Sequence, residues 1–310
     1  MNRLGYCCIN LSMNEGVKDK DRIYTNRSMS KKKFQELGIK RASELALKNV
    51  TDLEKIINWN GSVGIKMFRM SSDMFPWCSE YELTDLPDYE EISLILARTG
   101  GRSRSFNQRL TFHPSPYSVI ASLREDVKTN AIKELRQHGE IMDMMGFERD
   151  QNYPINIHIN TVKPDKQSAA DRFCEAFSEI PDSARTRLVL ENDDKPNQFT
   201  PIDLYEMVYK RIGIPLTFDY LHYKCNPAEG VSEEEALKIC ASTWPDGIIP
   251  ITHFSDSKKL NEDASAKLLA HSDWIWTEKI ETYGLNIDTE LEVKQKDLAL
   301  LKYLAAQNGK

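Results

Sequence analysis

The chain is 310 residues long, carries 41 Lys and Arg against 47 Asp and Glu for a formal net charge of -6, and is 40% hydrophobic and 28% charged. That length buries a large core and lies just above the roughly 250 residues of one (β/α)8 barrel, while the composition excludes fibrous and disordered classes. The negative charge speaks against a nucleic-acid partner held by a basic face, yet divalent cations gathered among carboxylates reverse the local field, so charge alone does not exclude DNA.

In chain order, short β-rich runs alternate with longer helical stretches, the pattern of βα units around a parallel sheet. The runs fall at 3–10, 66–72, 109–113, 155–160, 187–191, 215–219, 248–253 and 288–294. The first leaves no room for a signal or transit segment, and no apolar run approaches the roughly 18 residues of a membrane span, so the expected location is cytoplasmic. Helix starts are marked by Thr51 with Glu54 and by Ser232 with Glu235, both at capping-box spacing. Thr200 and Pro201 form a cap and first-turn proline, and Gly213 is the left-handed stop of the same helix. The segment 117–145 reads as one amphipathic helix burying Ile132, Leu135, Ile141 and Met145, and a last helix covers 297–306. Between His253 and Asp288 the repeat breaks, with a polar tract and the run Trp274-Ile275-Trp276 in place of a seventh helix; long irregular loops of this kind serve function. With no repeat or linker, 1–310 is expected to form a single domain, a (β/α)8 TIM barrel. Cys7, Cys8, Cys78, Cys174, Cys225 and Cys240 contain no C-x-x-C pair and read as reduced structural thiols.

The informative feature is where the runs end. His113, His158, Glu191, Asp219 and His253 each stand at or near the end of a strand, and His222, His271 and Glu292 lie nearby in sequence. A parallel barrel gathers its C-terminal strand ends at one rim, so these residues are expected to converge on a metal cluster there. His138, inside a helix, reads as an ordinary surface residue. Imidazole and carboxylate ligands without thiolate favour Mn, Fe or Zn. Two ions about 4 Å apart suit phosphoester cleavage. A sugar isomerase or epimerase uses similar ligands, so spacing alone leaves the reaction open.

The blocks LGYCCINLS at 4–12, FRMSSDMFP at 68–76, LTFHP at 110–114, REDV at 124–127, LENDD at 190–194, DYLHY at 219–223, HFS at 253–255, HSDW at 271–274 and DTELEVKQKD at 288–297 resemble the ultraviolet damage endonuclease family. The resemblance runs over nearly the whole chain in order. It implies a barrel related to metal-dependent abasic-site endonucleases, acting as a monomer without organic cofactor on damaged double-stranded DNA. The implied reaction is hydrolysis of the backbone 5′ to cyclobutane pyrimidine dimers and 6-4 photoproducts, leaving a 3′ hydroxyl. Two or three divalent ions are implied, usually Mn2+, with Mg2+, Zn2+ or Co2+ as substitutes. His113, His158, Glu191, Asp219, His222, His253, His271 and Glu292 match the family's ligands, with Glu191 bridging. Glu191, Asp219, His253 and Glu292 are expected to carry the catalysis.

Tyr6 and Asn10 match residues that contact the damaged bases, and Tyr117 matches one of a pair that probes the duplex. The other member of that pair, a glutamine in H-P-G-Q-Y, is Pro116 here. The family's K-x-H reads Ile251-Thr252-His253, so its lysine is also missing. An abasic-site endonuclease is the alternative within the same chemistry. Among the remaining candidates, Arg98, Arg102, Arg104 and Arg109 read as a solvated loop at the barrel bottom. Lys31 to Lys33 read either as a DNA contact or as the start of a polar helix. Lys294 and Lys296 are placed to neutralise a phosphate or to pair with nearby carboxylates. Trp244, Trp274 and Trp276 read as base-stacking or core residues, and Phe68, Met70 and Phe75 as barrel filling.

Overall fold

Eight short runs rich in β-branched and aromatic residues form the strands β1 (Leu4–Cys7), β2 (Met67–Met70), β3 (Arg109–Phe112), β4 (Ile155–Ile157), β5 (Leu188–Glu191), β6 (Leu216–Asp219), β7 (Ile251–Phe254) and β8 (Asp288–Leu291). In a computed structural model that describes residues 2–308, they pair in parallel in sequence order and close through β1 and β8, with Gly5 opposite Glu290. This is the expected TIM barrel. Residues 1, 309 and 310 of the expected 1–310 domain lie outside the described residues. Each expected strand is present and shorter than expected, and β7 also runs one residue past the expected end, to Phe254. β1, for instance, stops at Cys7 because Cys8 turns to a positive φ of 67° and leaves extended geometry.

Side chains alternate along a strand, so every second residue faces the axis. The inward sequence is Arg109, Thr111, His113 from β3 onward and Asp288, Glu290, Glu292 from β8 onward. Gly5 is required at its position, because a Cβ there would lie 2.8 Å from the Met67 side chain. Low in the barrel, Met67, Val189, Trp244 and Ile251 form a small apolar cluster, while Phe68, Met70 and Phe75 belong to the large core.

The helix α1 (Lys31–Ser62) is capped by Ser30 and breaks direction at Gly38, whose φ is 65°. Lys31 to Lys33 therefore open a helix. Thr51 is no cap: it lies inside α1, well past the break at Gly38, and its hydroxyl donates to the Leu47 carbonyl at 2.7 Å. Ser232 with Glu235 does form a capping box, Thr200 caps the turn at Pro201–Leu204, and Gly213 is left-handed at φ 69°.

The helix α2 (Tyr89–Ser105) carries Arg98, Arg102 and Arg104, so these are helical rather than loop residues. Arg109 is not solvated. It is 4% exposed, pairs with Asp288 at 2.9 Å and donates to the carbonyls of Gln151, Asn152 and Ile249, closing the barrel floor.

The helix expected over 117–145 begins only at Glu125, as α3 (Glu125–Met144). The preceding residues turn instead, held by the Glu134 carboxylate, which accepts from Ser115 N and the Ser118 hydroxyl. His138 is buried, not surface: Gly139 lets α3 approach the Ser183 backbone, and the imidazole packs edge-on against Phe112 at 4.6 Å. After β7, only Lys258–Asn261 is helical before β8, and the last helix is Lys296–Asn308. All six cysteines are free.

Candidate metal centre

Glu191 ends β5 at the centre of the C-terminal rim with no exposed surface. Four imidazoles from four other segments surround it. His253 Nδ1, His113 Nε2 and His158 Nε2 lie 2.9, 3.1 and 3.4 Å from Oε2, and His222 Nδ1 lies 3.1 Å from Oε1. The potential ligand atoms fall into three groups, each spanning less than 4.8 Å: His113, Glu191 and His253; His158, Glu191 and His222; Asp219, His253 and Glu292. Those groups contain seven of the eight residues expected to ligate metal. The eighth, His271, reaches the rim from the long loop after β7, with Nε2 3.8 Å from Glu292 and Nδ1 2.7 Å from the Ser255 hydroxyl.

Local structure explains several of these positions. Asp219 is both the end of β6 and the N-cap of the helix Tyr220–Cys225, where Oδ1 accepts from His222 N at 2.7 Å and so fixes His222 over the rim. His158 is steadied by Asp193 at 3.2 Å, and Asn156 donates to Glu191.

The donors fit divalent cations on the chemistry of the set and on the orphaned atoms within it. Asp219 Oδ2 is buried with no polar partner, and Glu191 Oε1, His158 Nδ1, His253 Nδ1 and Glu292 Oε1 are buried with ionic neighbours but without hydrogen-bond geometry to them. Such burial costs about 1–3 kcal/mol per group unless something else satisfies the atom. The electrostatics are correspondingly strained. Burial works against ionised Glu191, but His253 and His158, with hydrogen bonds from His113 and His222, hold its carboxyl well below the usual range. Burial opposes a charged His222 too, yet Asp219 and Glu191 push it well above an ordinary histidine. Burial lowers His113, and burial with the nearby Glu191 and Glu292 raises Asp219.

Arg69 and Glu290 were missed in the sequence. The Arg69 guanidinium lies 2.6 Å from Glu290, 2.5 Å from Glu292 and 2.8 Å from His253 Nε2, and the Thr111 hydroxyl donates to Glu290. The inward spacing 288, 290, 292 on β8 was the available signal.

The residues expected to meet DNA divide sharply. Tyr6 and Asn10 are fully buried: the Tyr6 hydroxyl donates to Asn60 and accepts from Asn10, each at 2.8 Å. Their polar groups are committed to an internal network, not presented at the surface. Tyr117 is 85% exposed at the tip of the loop after β3, beside Pro116. Trp244 is core, with its indole N–H on the Leu216 carbonyl. Trp276 is half exposed, and Lys302 lies over the Trp274 ring at 4.6 Å.

The sequence model of the family described as UV-endonuclease UvdE matches residues 2–309. The chain belongs to that family. UvdE proteins are DNA-repair endonucleases for ultraviolet damage, and two relatives carry that description. The UV-damage endonuclease of Schizosaccharomyces pombe is 31% identical over 309 residues, 97% of this chain, which spans half the length of that protein. The UV DNA damage endonuclease of Bacillus velezensis is 30% identical over 290 residues, covering 90% of this chain and 84% of that one. The crystal structure of SacUVDE superposes with a TM-score of 0.84 at 28% identity, covering 100% of this chain and 99% of its own. An L-ribulose 3-epimerase structure, at 15% identity and TM-score 0.53, covers 82% of this chain and shares the fold alone. Among the described residues of this UvdE member, no helix is long and apolar enough to cross a membrane.

Proposed function

We propose that this chain hydrolyses the backbone of damaged double-stranded DNA 5′ to ultraviolet photoproducts, leaving a 3′ hydroxyl, with divalent cations held at the barrel rim. The observation that carries this reading is Glu191, a buried carboxylate ringed by four imidazoles with orphaned donor atoms about it. Glu191 would bridge two ions, His113 holding one and His158 and His222 the other. Asp219, His253 and Glu292, with His271 beside them, would hold a third. Manganese suits this mixture of imidazole and carboxylate. Divalent ions there supply charge neutralisation at the phosphate and activation of water.

The protein's own part is to fix those donors and to grip a distorted duplex. Tyr117, exposed on the rim side, is the wedge, while Tyr6 and Asn10, which match family residues that contact the damaged bases, are buried. Pro116 offers no side-chain donor, so discrimination rests on the deformability of the lesion rather than on base-specific hydrogen bonds. That position also favours a second reading, cleavage at abasic sites. We propose that both lesions are cut by a single-domain, monomeric, cytoplasmic protein, at rates within about tenfold, equivalent to about 1.4 kcal/mol of barrier.

The test is a nicking assay on irradiated plasmid with Mn2+ and on matched oligonucleotides bearing one photodimer or one abasic site. Glu191→Gln should abolish cleavage while the circular dichroism spectrum stays that of the parent. Parent-like nicking by the variant would overturn the assignment, and strong preference for the photodimer would remove the second reading.

A further inference from the structure

The ion pair beneath the rim carries an inference that rests on the metal-centre reading above. Arg69 is 6% exposed and Glu290 1%, so both charges are inside the barrel. Removing a charge pair from water is costly, and apolar residues of similar volume are often at least as stable, so stability alone does not account for the pair.

What the pair does supply is orientation. The planar Arg69 fork meets Glu290 at 2.6 Å and Glu292 at 2.5 Å, and His253 Nε2 lies 2.8 Å from the fork and 3.3 Å from Glu290 itself. A rigid guanidinium with three fixed contacts has little freedom left. Glu290 is itself held by the Thr111 hydroxyl from β3, so the chain of contacts runs from one wall of the barrel to the other. Glu292 and His253 are two of the three members of the donor group that includes Asp219.

We propose that Glu290 is a positioning residue for the metal centre: it holds Arg69 against Glu292, and it faces His253 Nε2 at 3.3 Å, where it accepts the ring proton and leaves Nδ1 to receive a divalent cation. Removing outer partners of this kind changes metal affinity by about 10- to 100-fold. The loss should fall on the ion shared by Asp219, His253 and Glu292.

The experiment strips the full-length chain of metal and titrates it with Mn2+ by calorimetry, with free Mn2+ followed by electron paramagnetic resonance. Parent, Glu290→Gln, Arg69→Gln and the double variant are compared, each shown to be folded by circular dichroism in chelator. Glu290→Gln preserves size and the Thr111 contact while removing the charge. Its affinity at one site should fall about 10- to 100-fold. The double variant should lose less than the sum of the two single losses, because Glu290 acts in part through Arg69. Thr111→Val, which removes only the hydroxyl that holds Glu290, provides the gentler version, with a smaller loss at the same site. A folded Glu290→Gln with parent affinity at every site overturns the proposal. If that variant does not fold, a folded Thr111→Val with parent affinity overturns it instead. Additive losses in the double variant overturn the route through Arg69. A parent that takes up no Mn2+ at all overturns the metal-centre reading itself, an outcome visible before any variant is compared.

Discussion

Replacing Arg109 by Met separates a floor that carries stability from a rim that carries chemistry. The Arg109 side chain lies 2.9 Å from Asp288 and donates to the carbonyls of Ile249, Asn152 and Gln151 at 2.7, 2.8 and 2.7 Å. Methionine has comparable reach but no donor. Asp288, with a side chain 1% exposed, would keep only Arg3 at 3.0 Å as its ionic partner. Breaking a buried ion pair costs about 3–5 kcal/mol, and the surviving Arg3 contact puts the expectation near about 3 kcal/mol. An unfolding entropy of about 2.1 cal/mol/K per residue gives about 0.65 kcal/mol/K for this chain, so the Tm should fall by about 5 °C. Thermal melts followed by circular dichroism in chelator measure this, with Arg98→Ala as control. The Arg98 pair with Glu54 sits on the surface of α1 and α2, where screening leaves little to lose, and its melt should match the parent. Mn2+ titration of Arg109→Met should also match the parent. A fall of less than about 2 °C would refute the burial argument, and weakened Mn2+ binding would refute the separation of floor from rim.

Three further outcomes are expected. Stepwise chelation followed by metal analysis should release one ion before the other two, because Ile251 contributes no polar atom where the family has lysine; simultaneous release of three would contradict this. Tyr117→Ala should slow single-turnover nicking of photodimer and abasic duplexes alike, by about tenfold if the ring contributes a stacking contact of about 1–3 kcal/mol; an unchanged rate would mean that recognition lies elsewhere. Gly139→Ala should lower the urea midpoint by an amount equivalent to about 1–3 kcal/mol, since its Cβ would lie 2.5 Å from the Ser183 backbone; an unchanged midpoint would show that α3 shifts freely.

The barrel and most of its rim were legible in the sequence because one periodicity encodes both. Strands alternate inward and outward, and their C-terminal ends meet, so RLTFH and RLVLE announce their terminal residues without long-range information. Contacts that cross the barrel were not legible. Arg69 and Glu290 are 221 positions apart, and each alone looks like an ordinary charged residue in an apolar run. His138 failed for a related reason: its polar neighbours suggest solvent, while Gly139 permits the close helix packing that buries it. The start of α3 was misread because the Glu134 clamp on Ser115 and Ser118 outweighs the helical periodicity of the segment. Tyr6 and Asn10 match family residues that contact damaged bases, but Asn10 donates to the Tyr6 hydroxyl and Tyr6 donates to Asn60, which holds both inside.

The seam at which the barrel closes has a consequence for timing. Gly5 in β1 pairs with Glu290 in β8, so the first strand waits for the last before the cylinder is complete. Such sequence-distant pairing is slow to form, because the loop entropy must be surmounted before the contacts reward it. Glu292 lies just past the same seam. A nascent chain that has emerged only as far as β7 therefore displays four histidines and two carboxylates, yet lacks both the closing strand and the residue that joins Asp219 and His253. The order of synthesis thus makes the grouping of Asp219, His253 and Glu292 the last of the three at the rim to be completed.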